Sequence, residues 1–262
     1  MCIVWEERLM NKMFAVIYYE FKMQFFRLGS WGIFAAAAVL SLLDNFPSAG
    51  NLARLEFLKD PAYFVYRVMS LDSLVLLFGL MFLLAGRIPL DRKTGMTPVL
   101  MASRLKKWQY VSGKLLGGFL YVYTMVCIFL LADMVIYFIA SPFKATLADC
   151  AIPLAKAWIF CAFPASLCVS FCSVALAGMM DIRLFYILAA IYFGVNAMYV
   201  GSAETMPFYL LTSGDLVRLL WVHPRWPFVT MESVWANGAF LLGTGLGAGC
   251  LLFLKHKFWR VQ

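Results

Sequence analysis

The sequence predicts an all-α polytopic membrane protein: an amphipathic N-terminal helix and six transmembrane helices, with both termini in the cytoplasm. Three observations predict it. Of 262 residues, 63% are apolar and only 14% charged, against about 45–50% and about 25% in ordinary soluble domains. Apolar runs close to the ~20 residues that cross a bilayer as helix recur along the whole chain. The 22 basic residues fall unequally on alternate loops, as the positive-inside rule requires of a membrane protein. The composition excludes a soluble or secreted enzyme, a disordered chain and a disulfide-stapled miniprotein, and six spans leave no room for a fused ATPase.

Taken in order, residues 11–28 come first. Phe14, Ile17, Tyr18, Phe21, Phe25 and Leu28 recur at helical spacing, with Lys12, Glu20, Lys22 and Arg27 elsewhere, which predicts a helix lying in the membrane interface. The residues before it lack the basic-then-apolar order of a signal peptide, so the first span is expected to remain in the mature chain. Spans are predicted at 29–46, 68–88, 114–139, 152–178, 183–201 and 234–254. The first is shortened by Ser41 and Asp44, and the fourth carries Pro164, which predicts a kink or tilt.

With this topology fifteen basic residues lie inside and seven outside. The net charge of +8 therefore reports topology and lipid contact, and no nucleic-acid partner is expected. Seven cysteines, several within apolar runs, read as small side chains packed between helices.

Two connecting segments have unusual content. The cytoplasmic segment 89–113 mixes basic and apolar residues at short-helix spacing. A segment that passes on the motion of a soluble partner has to be rigid, because a slack loop would absorb that motion. Gly95 and Pro98 are suited to turn the chain and start a short helix, Leu100 and Met101 to enter a partner's groove, and Arg104, Lys106 and Lys107 to pair with an acidic rim. The same basic residues also suit anionic lipid heads. The outer segment 202–233 is too apolar for a linker; Phe208, Tyr209, Leu216 and Trp221, divided by Pro207, Pro224 and Pro227, predict short helices at or dipping into the outer interface.

Asp91-Arg92-Lys93-Thr94-Gly95, Pro98-Val99-Leu100-Met101-Ala102-Ser103-Arg104 and Gly113-Lys114-Leu115-Leu116 look like the acidic-x-x-x-Gly-Thr, Leu-Leu-x-x-Pro and Gly-Lys-hydrophobic runs of a known family. The chain resembles the permease subunits of type-two ATP-binding-cassette exporters in their half-transporter form. The resemblance implies an elbow helix at the amino terminus, a coupling loop containing Asp91, and re-entrant helices between the fifth and sixth spans. It implies as partners a separate ATPase subunit, which binds ATP and Mg, and a second permease subunit. No cofactor is expected on this chain. The cargo implied is hydrophobic or amphipathic, such as a peptide antibiotic, drug or lipid, moved outward across a bacterial cytoplasmic membrane.

Asp72 and Asp133 lie in apolar runs near the outer face, and are expected as anchors or as partners of Arg67 or Lys156 rather than proton carriers. Tyr192 and Asn196, one turn apart, are candidates to line the pathway or bond between helices. Gly243, Gly245, Gly247 and Gly249 form overlapping Gly-x-x-x-Gly spacings, of which Gly243 and Gly247 are candidates for close helix packing within the chain or across a dimer. Cys168 and Cys172 with fifteen methionines raise Cu(I), but no Met-x-x-Met ladder or Cys-x-x-Cys accompanies them, and no metal is expected. His223 and His256 fall on opposite sides of the membrane and no His-Glu-x-x-His is present, so an intramembrane enzyme is not expected. A secondary transporter or a structural polytopic subunit is the alternative.

Overall fold

The computed structural model describes residues 2–46, 60–96, 105–140, 146–202, 204, 206–221 and 229–255. All regular structure among them is helical. In chain order the helices are α1 (Cys2–Phe25), α2 (Leu28–Asn45), α3 (Pro61–Val68), α4 (Leu71–Ala85), α5 (Arg87–Lys93), α6 (Lys107–Ala140), α7 (Leu147–Lys156), α8 (Phe163–Met179), α9 (Ile182–Met198), α10 (Asp215–Leu220) and α11 (Met231–Leu254). A π-helical turn, Ala157–Ala162, joins α7 to α8, and a short 3-10 turn, Leu211–Ser213, precedes α10.

Five helical stretches are long and apolar enough to cross a membrane: Leu28–Asn45, Pro61–Asp91, Lys107–Ile139, Leu147–Met179 and Met231–Leu254. The molecule is an α-helical polytopic membrane protein. Ile182–Met198 is apolar but shorter; its 17 residues extend about 25 Å at 1.5 Å each, less than the ~30 Å hydrocarbon core. Large apolar side chains such as Ile139, Trp235 and Leu254 face outward, as lipid contact requires.

Local chemistry sets where the helices start. Asp60 accepts from the Ala62 amide ahead of Pro61 at the first turn of α3, Thr146 and Asp149 form a reciprocal capping box on α7, Asp181 caps α9 and Thr230 caps α11; each satisfies amides that a helix N-terminus leaves free. Several boundaries differ from the sequence reading. The stretch expected at 68–88 begins at Pro61 and is broken at Met69–Ser70, where the Ser70 and Ser73 hydroxyls take up the Arg67 and Val68 carbonyls. The one expected from 114 starts at Lys107. The one expected at 152–178 starts at Leu147, and its irregularity is the π turn just before Pro164, which lacks the amide that an α-helical ladder needs.

Helix α8 is central, packed by α4, α6 and α11, while α1 lies along α6. Close approach is carried by glycines. A β-carbon on Gly117 would stand 2.9 Å from the Ile17 carbonyl oxygen, and one on Gly113 would overlap the Val16 side chain at 2.3 Å. On α11 the close-packed glycines are Gly245, against Leu167 and Cys168, and Gly249, against Phe171 and Leu115. Among the described residues nothing lies within 4 Å of a β-carbon added at Gly243 or Gly247.

Candidate functional site

At one end of the bundle four charged residues from three helices form a closed set. Glu20 of α1 accepts from Arg87 Nε at 2.8 Å and from Lys114 Nζ at 2.7 Å. Lys114 of α6 reaches Asp91 of α5 at 2.8 Å. The Tyr110 hydroxyl donates to the same Asp91 oxygen at 2.7 Å, its ring lies 5.6 Å from Lys114 Nζ, and Arg87 also meets the Met23 sulfur at 3.2 Å. Glu20, Arg87 and Lys114 are buried. Two acids balance two bases, so the set carries no net charge, which is the condition under which buried charges are tolerable.

This set fixes α5 to α1 and α6, and α5 leads into the segment 94–106. Gly95, just beyond α5, has φ +68°, the left-handed conformation that glycine adopts without strain. Asp91 is thus an inward anchor of the segment. Lys107 donates to the Phe253 and Lys255 carbonyls at 2.6 and 3.3 Å, and Lys255 to the Met179 carbonyl at 2.5 Å; the two lysines occupy carbonyls that end α11 and α8. Lys107 therefore faces its own chain, whereas Lys106 is exposed. Pro98, Leu100, Met101 and Arg104 lie outside the described residues.

The opposite end is organised by two asparagines. Asn196 accepts from the Leu210 amide at 2.7 Å, and Tyr192 donates to the Phe208 carbonyl at 2.7 Å. Asn237 of α11 donates to the Pro207 and Tyr209 carbonyls at 2.8 and 2.9 Å and accepts from the Leu216 amide at 3.3 Å. The segment 206–221 is thereby held against α9 and α11, with Tyr209, Leu210 and Leu211 buried. Within it, burial holds the Asp215 carboxyl above its ordinary range while Arg218 acts in the opposite sense.

Asp72 and Asp133 come together through α2. Ser41 donates to Asp133 Oδ2 at 3.0 Å, and Asn45 Nδ2 donates to Asp72 Oδ2 at 2.5 Å and to Ser41 Oγ at 3.1 Å. The expected partnership of the acids with Arg67 or Lys156 is not formed among the described residues: Arg67 is spent on the Asp44 and Asn45 carbonyls.

Helix α9 packs on α4 through Phe193 against Phe78 and Tyr186 against Phe82. An apolar cavity of about 290 Å³ opens between α8, α9 and α11, lined by Met81, Cys168, Cys172, Tyr192, Phe240 and Thr244 among others. A second, of about 250 Å³, lies between α4 and α9, and Phe193 lines both. Each falls just under the ~300–1,000 Å³ of drug-sized sites, enough for an acyl chain or one aromatic group. Among the described residues no three His, Cys, Asp or Glu side chains gather as a metal site.

The sequence reading singled out Asp91 but not Glu20, Arg87, Tyr110 or Asn237. Gly113-x-x-x-Gly117 spacing was a usable signal for the α1 contact, and it puts Glu20 beside Gly117. Comparison with protein-family models, curated proteins and solved structures gives no match.

Proposed function

We propose that this chain is the membrane permease subunit of a type-two ATP-binding-cassette exporter. In this reading α1 is the elbow helix, six helices span the membrane with both termini cytoplasmic, and the segment 94–106 receives an ATPase. The observation that carries the proposal is the Glu20–Arg87–Lys114–Asp91 set. It ties the root of that segment to α1 and α6, so that a push on the segment moves helices rather than bending a loop. Exposed Lys106 and Arg104 meet the ATPase; Lys107 braces the segment from inside. Hydrolysis belongs to the partner, two permease subunits form the pathway, and an amphipathic or lipid-like molecule moves outward. The apolar cavities along α9 support cargo of that kind.

The test is purification of the full chain from its native membrane in mild detergent, with mass spectrometry of stoichiometric companions. A soluble partner with a phosphate-binding loop is the expected result, and Lys106→Glu with Arg104→Glu should weaken its association while insertion stays normal. Recovery of this chain alone, under conditions that keep other transporter complexes intact, would overturn the reading in favour of a secondary carrier or structural subunit.

A further inference from the structure

Ser41, Asn45, Asp72 and Asp133 are 0–2% exposed and join α2, α4 and α6 beside the break at Met69–Ser70. The charged groups around Asp72 are Asp44 of α2, Arg67 of α3 and Asp133 of α6. Arg67 is engaged by backbone carbonyls, so among the described residues no cation pairs with either buried acid. Asp133 accepts from the Ser41 hydroxyl and Asp72 from the Asn45 amide, and the Asp72 carboxyl also meets its own backbone N–H. Two buried acceptors then have no partner among the described residues: Asp72 Oδ1 and Asn45 Oδ1.

These two orphans belong to side chains that are already bonded to each other, since Asn45 Nδ2 donates to Asp72 Oδ2 at 2.5 Å. An amide and a carboxylate can make only one such bond, because both remaining atoms are acceptors. An amide and a carboxylic acid make two, closing a ring. A single proton on Asp72 Oδ1 therefore supplies a donor for Asn45 Oδ1, satisfies both orphans and removes one of two neighbouring buried negative charges. Sodium would need several oxygens around it; the proton needs one.

We infer that Asp72 and Asn45 form a proton-binding site, in which Asp72 is a neutral acid at pH 7 and its deprotonation loosens the junction of α2, α4 and α6. On release the proton goes to water and leaves a carboxylate facing Asp133. The inference is independent of the exporter reading.

The experiment is infrared difference spectroscopy of the full chain in lipid nanodiscs, in an Asp215→Asn background that removes a further buried acid outside the spans. At pH 7 the expected spectrum contains a protonated-carboxyl C=O band. The band should be lost on raising the pH, lost in Asp72→Asn, kept in Asp133→Asn, and unchanged when sodium chloride replaces choline chloride. A band that survives Asp72→Asn, that is lost in Asp133→Asn only, or that sodium abolishes overturns the inference. Should Asp72→Asn fail to fold, the background chain alone decides: the absence of a band that titrates with pH overturns it equally.

Discussion

The carboxylate of Glu20 and the ammonium of Lys114 lie 2.7 Å apart across 94 residues of sequence, both almost wholly out of reach of solvent. Neither could be buried alone. Removing one partner of a buried pair leaves an uncompensated charge and costs on the order of 3–5 kcal/mol. Here the Glu20 carboxylate faces two cations.

Glu20→Ala should therefore lower stability by at least about 3 kcal/mol, and Glu20→Gln, which keeps an acceptor, by less. Thermal unfolding in detergent, followed by the exposure of buried thiols, measures both. Equal stability of Glu20→Ala and the parent would show that the set contributes nothing to holding α1.

Gly117→Ala should be poorly tolerated, because its methyl would meet the Ile17 carbonyl and the Glu20 side chain; overpacking of this kind typically costs ~1–3 kcal/mol. Gly243→Ala and Gly247→Ala, with open space around them, should leave the stability of the single chain unchanged. Melting temperatures of the three variants side by side decide it.

Asn237→Ala strips three hydrogen bonds from the segment 206–221. Each buried group left unpaired costs about 1–3 kcal/mol, so the segment should lose protection while α6 and α8 keep theirs. Hydrogen exchange read peptide by peptide is the measurement, and uniform loss throughout the chain would count against a local role.

Asp215 gives a pH dependence. Burial raises its pKa, so the folded chain holds that proton more tightly than the unfolded one. Its contribution to stability is then fully present below the ordinary carboxylate range and is lost as pH rises through the raised value. Melting temperature should fall over that window in the parent and fall less in Asp215→Asn.

The helical class and the membrane were legible because apolar runs of span length need no partner to be recognised. The segment 89–113 stood out by its content, basic residues set among apolar ones. What was not legible were pairings between distant positions. Glu20 reads as one polar residue on an amphipathic helix, and only the packing of Gly113 and Gly117 against α1 brings it to Lys114. Asn237 sits in an apolar run and gains its role from carbonyls about thirty residues earlier. The stretch read at 68–88 contains the helix Leu71–Ala85 and is preceded by one that Pro61 opens and the break at Met69–Ser70 ends; hydropathy registers neither the opening nor the break. The acids at 72 and 133 were expected as anchors or as partners of a cation; Arg67 turns to the backbone, and the acids bond to α2.

The lysine contacts at the ends of α8 and α11 bear on how load travels. The described residues on either side of positions 97–104 are both anchored: α5 is bolted to α1 and α6 by charge, and Lys107 grips the last turn of α11, whose neighbour Lys255 grips α8. On the exporter reading proposed above, a push delivered between these two anchorages would be shared by four helices, including one at each end of the sequence.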